Sequence, residues 1–149
     1  MTPKEFAAKW FSTIDANNYD GLKSMMAENH QFSNPATPQP LNGDAHLGMI
    51  QQMMGAFTGA HKIEQQICEG EWVVSRGRWQ GKHTGDFNGI PASGRTVDFS
   101  MTDIMHVVNG KLVEEFMEWN AMTLMMQIGA IPSPVQAPPA VALEDVTYG

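Results

Sequence analysis

The sequence is poor in cysteine: Cys68 is the single one in 149 residues. An internal disulfide is therefore excluded, and a reducing compartment is the expectation. Basic residues are scarce too. Nine Lys and Arg against sixteen Asp and Glu leave a net charge of -7. No Lys/Arg cluster supplies the basic face that a phosphate backbone requires, so nucleic acid is not an expected partner. No apolar run reaches the roughly 18 residues of a membrane span, and the N-terminus lacks the apolar core of a signal peptide. A cytoplasmic protein with no membrane partner is expected. His30, His46, His61, His83 and His106 show no metal-ligand spacing, and no glycine-rich phosphate cradle follows a strand. Neither a metal nor an organic cofactor is expected.

What remains is an ordinary globular balance, 42% hydrophobic and 17% charged, long enough for one core and too short for two domains. Residues 1–130 read as that domain. Residues 131–149, with Pro132, Pro134, Pro138 and Pro139, read as an extended tail. The twelve methionines suit flexible core filling, and equally a pocket wall that repacks around an apolar ligand.

The first helix has its cap written out: Thr2 caps, Pro3 suits the first position and Glu5 closes a capping box. Phe6, Trp10, Phe11 and Ile14 follow at helical spacing. Asn17-Asn18 ends this helix, and Asp20 opens a short second one carrying Leu22, Met25 and Met26. Residues 30–33 allow only a brief strand before a proline-marked loop. Asp44 is the expected cap of a third helix, with Leu47, Ile50, Met54 and Phe57 along one stripe. Strands then follow at 62–69, 72–82, 96–108 and 111–119, and a short helix at 122–128. Helices first and a strand meander afterwards predict an α+β domain with helices on one face of an antiparallel sheet.

Asn109-Gly110 is a strong two-residue hairpin signal. A regular ladder from that turn pairs Val108 with Lys111, and sets Met101 opposite Glu118 and Asp103 opposite Phe116. One face then carries Phe99, Met101, Asp103, Met105 and Val107 with Leu112, Glu114, Phe116 and Glu118. On it Asp103 and Glu118 are diagonal neighbours. An apolar wall and a second carboxylate both raise a carboxyl pKa, as proton abstraction next to a carbonyl requires. The opposite face (Thr102, Ile104, His106, Val113, Glu115, Met117, Trp119) is also mixed, so polarity alone does not decide which faces inward, and a bulge would shift every assignment.

The loop His83-Thr84-Gly85-Asp86-Phe87-Asn88-Gly89-Ile90-Pro91-Ala92-Ser93-Gly94-Arg95 resembles the HTGxFxGIPxTGR loop of SnoaL-like polyketide cyclases, within the nuclear transport factor 2-like group. The Asn-Gly-Lys hairpin, the Glu118-Trp119 pair and the closing Met-Met-Gln-Ile-Gly-Ala extend the resemblance over most of residues 4–130. It implies a cone of three helices on a strongly curved sheet around an apolar pocket. It also implies a homodimer through the outer sheet face, and ring closure of a polyketide by aldol condensation without a cofactor. Residue by residue it places the acid/base at Glu118, Asp103 at the position of a pocket His, Met101 at that of a Gln, and Asn34 beside the pocket. Glu118, Asp103 and Met101 depart from the family pattern in residue type, standing where it has Asp, His and Gln, whereas Asn34 matches it.

The expected function is therefore acid/base chemistry on a small apolar carbonyl compound: aldol cyclisation, or a related isomerisation or dehydration. Glu118 and Asp103 are the expected catalytic pair. Asn34, Met101, Phe116, Phe99, Met54 and Trp10 are the expected ligand contacts. The alternative is a non-catalytic protein that binds a small apolar ligand in the same fold.

Overall fold

The computed structural model describes residues 1–133; most of the expected C-terminal tail, residues 134–149, lies outside them. Helix α1 (Pro3–Asp15) starts at Thr2 with the reciprocal Thr2–Glu5 capping box in place. It buries Phe6, Trp10, Phe11 and Ile14, the stripe its spacing predicts. Helix α2 (Tyr19–Met25) is capped by Asn18. Helix α3 (Gly43–Ala56) is capped by Asn42, two residues before the expected Asp44, through a 2.9 Å bond from the Ala45 N–H.

Six strands form one sheet in the order β2-β1-β6-β5-β4-β3: β1 (Met26–Ser33), β2 (Leu41–Asn42), β3 (Phe57–Glu69), β4 (Trp72–His83), β5 (Thr96–Val108) and β6 (Lys111–Trp119). A fourth helix, α4 (Ala121–Gln127), follows. All pairings are antiparallel except β1 with β6. These two strands meet only after the chain has made the whole meander, so no hairpin dictates their direction. β1 is also longer than the brief strand expected. Its polar stretch Glu28–Gln31 hides the alternation, because its pairing with β6 is irregular between Met26 and Gln31.

The Asn109-Gly110 turn forms as read, with φ of 51° and 72° and Val108 opposite Lys111. The long β3–β4 hairpin bends where its register shifts between Ile63 and Gln65. Gly77 sits there, and a Cβ on it would lie 2.2 Å from the Lys62 carbonyl oxygen. Only glycine allows that approach. The bent sheet wraps around α1 and α3, and the core lies between them: Trp10, Leu22, Val73, Met105 and Leu112 are fully buried.

Candidate functional site

Strand β5 alternates without error, placing Val97, Phe99, Met101, Asp103, Met105 and Val107 inside. Strand β6 does not keep the regular ladder. Val107 pairs with Leu112, but His106 pairs with Glu114, leaving Val113 as one extra residue. Beyond that bulge every side chain of β6 takes the opposite face from the regular count. Met105 lies opposite Glu115, Asp103 opposite Met117, and Met101 opposite Trp119.

This corrects the expected pair. Glu118 pairs with Thr102 on the outer face and is exposed, and Phe116, 41% exposed, lies beside it. Neither reaches the interior. The inward residues of β6 are Leu112, Glu115, Met117 and Trp119, so Met117 and Trp119 also leave the outer face on which the regular register puts them. A signal was present: this set holds three apolar residues and one acid, whereas the regular count buries two acids out of four. Asn34 is also displaced from its expected place beside the pocket. Its Oδ1 accepts from the Ala36 N–H at 2.8 Å and its Nδ2 donates to Thr37 at 3.0 Å, so its polar atoms organise its own loop.

Between α1, α3 and the inner sheet face lies a cavity of about 90 Å³. Trp10, Met54, Phe99 and Met101 line it, together with Phe32, Phe57, Trp79, Met117 and Trp119. Three ionisable side chains reach it: His46, His61 and Glu115. Asp103 stands behind Glu115, fully buried.

The buried polar groups form a chain whose direction follows from its end. The Leu112 carbonyl can only accept, so His30 Nδ1, 3.1 Å away, carries a proton. With His30 neutral, its Nε2 is the acceptor for His46 Nδ1–H at 2.8 Å. That leaves His46 Nε2 as a bare lone pair, 3.5 Å from Glu115 Oε1. Burial keeps both rings neutral. It lowers His30 against the opposing pull of Leu112, and lowers His46 to about 3 with help from His30. His46 is also stacked on Phe32, with ring centroids 3.7 Å apart.

Neither carboxyl oxygen of Glu115 or Asp103 has a hydrogen-bond donor among the other described residues. Two acids in such a place bond only to each other, and only if one is protonated. Burial pushes Glu115 up to about 7, partly offset by its hydrogen bond with Asp103. Burial, and then the Glu115 charge, push Asp103 well above the usual carboxylate range. Below neutrality Asp103 donates to Glu115, and Glu115 presents its own proton toward the His46 lone pair. Glu115 is thus a neutral acid on an apolar wall that ionises near physiological pH. The arrangement can donate a proton, and accept one once Glu115 has ionised.

The SnoaL-like polyketide cyclase family matches residues 5–128. The chain belongs to that family. Among solved structures, AclR from Streptomyces galilaeus, a candidate hydroxylase, superposes with a TM-score of 0.81 at 16% identity, over 89% of this chain and 83% of its own. IdmH from Streptomyces antibioticus, a candidate polyketide cyclase, does so with 0.78 at 21% identity, over 87% and 99%. A candidate polyketide cyclase from Xanthomonas campestris pv. campestris gives 0.77 at 14% identity, over 85% and 96%. At such identities these likenesses establish the fold alone. No curated protein matches the chain.

The SnoaL-like fold accounts for the curved sheet and its helices. His30 and His46 were legible only as histidines without metal-ligand spacing, and Glu115 only as a member of the face opposite Asp103. His30 sits where β1 is out of register, so its ring rather than a regular strand bond meets the Leu112 carbonyl. Among the described residues no three His, Cys, Asp or Glu side chains converge in a metal-binding arrangement, and no helix is long and apolar enough to cross a membrane.

Proposed function

We propose that this SnoaL-like protein catalyses cofactor-free proton transfer on a small, mostly apolar carbonyl compound, as in aldol cyclisation or a related isomerisation or dehydration. The observation that carries the proposal is Glu115: a carboxyl in the wall of an apolar cavity, held near neutrality by burial and seated on Asp103. Glu115 serves as the acid/base, its proton affinity raised by burial and moderated by Asp103. Trp10 and Trp79 also line the cavity, and each has a buried indole N–H without a partner among the described residues. A carbonyl oxygen is the acceptor such donors lack.

The second reading is a binding protein that holds an apolar ligand without turning it over. Five methionines in the wall (Met49, Met53, Met54, Met101, Met117) favour it, since thioethers repack around varied apolar shapes. One experiment separates the two. 2-Indanone, a compact ketone with acidic α-hydrogens, is added in D2O, with its binding followed by protein chemical shifts and its deuterium uptake by proton NMR. Catalysis predicts uptake accelerated by the wild type and reduced about 100-fold or more in Glu115→Gln, with binding within a few-fold. Binding without accelerated uptake in the wild type leaves the binding reading. Absence of binding overturns both.

For partners, we propose a homodimer through the outer sheet face. Val74, Ile104 and Phe116 are direct cross-strand neighbours there, and Ile67 extends the row onto β3. The adjacent row holds Arg76, Thr102 and Glu118. A two-fold axis along β5 would set Ile104 on its own copy and Arg76 against the partner's Glu118.

A further inference from the structure

A second titratable pair borders the same cavity. Asp15 is the last residue of α1. There the helix dipole presents its negative end, and a carboxylate is unfavourable. No basic residue in that turn compensates. What holds it is His61 on β3: the His61 backbone N–H donates to Asp15 Oδ2 at 3.0 Å, and Nδ1 meets Oδ1 at 2.6 Å. The ring packs on Phe11, with centroids 5.0 Å apart. Its side chain is 8% exposed, and it lines the cavity.

An ionised carboxylate can only accept, so the proton between the two lies on Nδ1. Among the described residues the bonds of His61 to Asp15 engage its backbone N–H and Nδ1, which leaves Nε2 to meet an occupant. The ring is thereby held in one tautomer with a lone pair free and a counter-charge waiting behind it. A histidine backed by a carboxylate in this way takes up a proton without leaving an uncompensated charge.

The geometry points to His61, oriented by Asp15, as a second acid/base group that works with Glu115 on a substrate bearing a removable hydrogen beside its carbonyl. The inference rests on the proposed role of Glu115 and adds the base that this role otherwise lacks while Glu115 is protonated. In the step, His61 Nε2 takes the α-proton, and the C–H pair becomes the enol double bond. The carbonyl π pair takes the proton of Glu115. The products are a neutral enol, an imidazolium held against Asp15, and an ionised Glu115. The reverse transfers restore both groups. The substrate class narrows to enolisable ketones and 1,3-dicarbonyl compounds.

The same 2-indanone exchange tests this. His61→Gln should lower the maximal exchange rate about 100-fold with the half-saturating ketone concentration unchanged within about three-fold, and Asp15→Asn should fall between it and wild type. In His61→Ala, added imidazole should restore part of the rate, which a purely structural tie would not allow. Exchange at the wild-type rate in His61→Gln, with Glu115→Gln inactive, overturns the His61 role and leaves that of Glu115 intact. A rate lost together with ketone binding, and not restored by imidazole, makes the Asp15–His61 pair a structural tie and also overturns it. No accelerated exchange by the wild type defeats the Glu115 reading and this one with it.

Discussion

At the scale of single residues, the balance of the site is one of protons shared among four buried groups. Glu115 and Asp103 have folded pKa values above their unfolded ones, so over that interval the folded chain holds protons the unfolded chain has released. Their contribution to stability is complete at low pH and is lost as pH climbs through the folded values, about 7 for Glu115. His30 and His46 act in the other direction. Their folded values are lowered, so stability falls as pH drops below the ordinary histidine range. The two trends overlap in mildly acidic solution, so a wild-type curve alone conceals both. The difference between Glu115→Gln and wild type isolates one group. It should shift in favour of the variant between pH 5 and pH 8, in urea midpoints measured at each pH; a difference that stays constant would sink the buried-acid assignment. Asp103 is expected to act as a hydrogen-bond donor to Glu115, so Asp103→Leu should raise the Glu115 titration seen by carboxyl carbon NMR, and Asp103→Asn should leave it nearly in place. Glu118→Gln, on the far face, should leave the 2-indanone exchange rate unchanged.

At the scale of elements, the helices, the strands of the meander and the Asn109-Gly110 turn were legible because each carries a local signal: a cap, an apolar period, a turn residue that tolerates positive φ. The identity of the second carboxylate was not. It depends on whether β6 accommodates one surplus residue, and a bulge has no local signature in Val113-Glu114-Glu115. Only the count of apolar residues per face leaned toward it. Asp103 was placed inside because β5 is regular. Glu118 was misplaced because β6 is not. The β3–β4 hairpin shows the opposite case, where one residue type reports the distortion. Gly77 sits opposite the irregularity at Ile63. A methyl group there meets the backbone rather than a movable side chain, since the Lys62 carbonyl oxygen and the Ile63 Cα lie 2.2 and 3.0 Å from the ideal Cβ. Gly77→Ala should therefore destabilise by about 1–3 kcal/mol, as overpacking does, read as a lower urea midpoint. An unchanged midpoint would mean that the sheet relaxes freely at its bend.

At the scale of the molecule, the cone has an inner face that the helices cover and an outer face that they do not. On the outer face Phe116 is 41% and Ile67 60% exposed, with Ile104 and Trp72 also open to solvent. Trp72 is stacked on His106, ring centroids 4.2 Å apart. Apolar groups in contiguous cross-strand positions need cover more than scattered ones do. The charges nearby do not forbid a second copy: Arg76 and Glu118 flank Thr102 on one row, so a two-fold axis along β5 pairs unlike signs rather than like ones. Sedimentation at micromolar concentration should therefore show a dimer. Ile104→Glu places two carboxylates against each other across the axis and should give a monomer. The charge pair supplies a sharper check, because Arg76→Glu and Glu118→Arg should each weaken the dimer while the double variant, with the signs exchanged, should recover it. The inner cavity does not depend on this face, so the Ile104→Glu monomer should still bind 2-indanone. A monomeric wild type would remove the outer face from consideration, and recovery failing in the double variant would retain the dimer but exclude this axis.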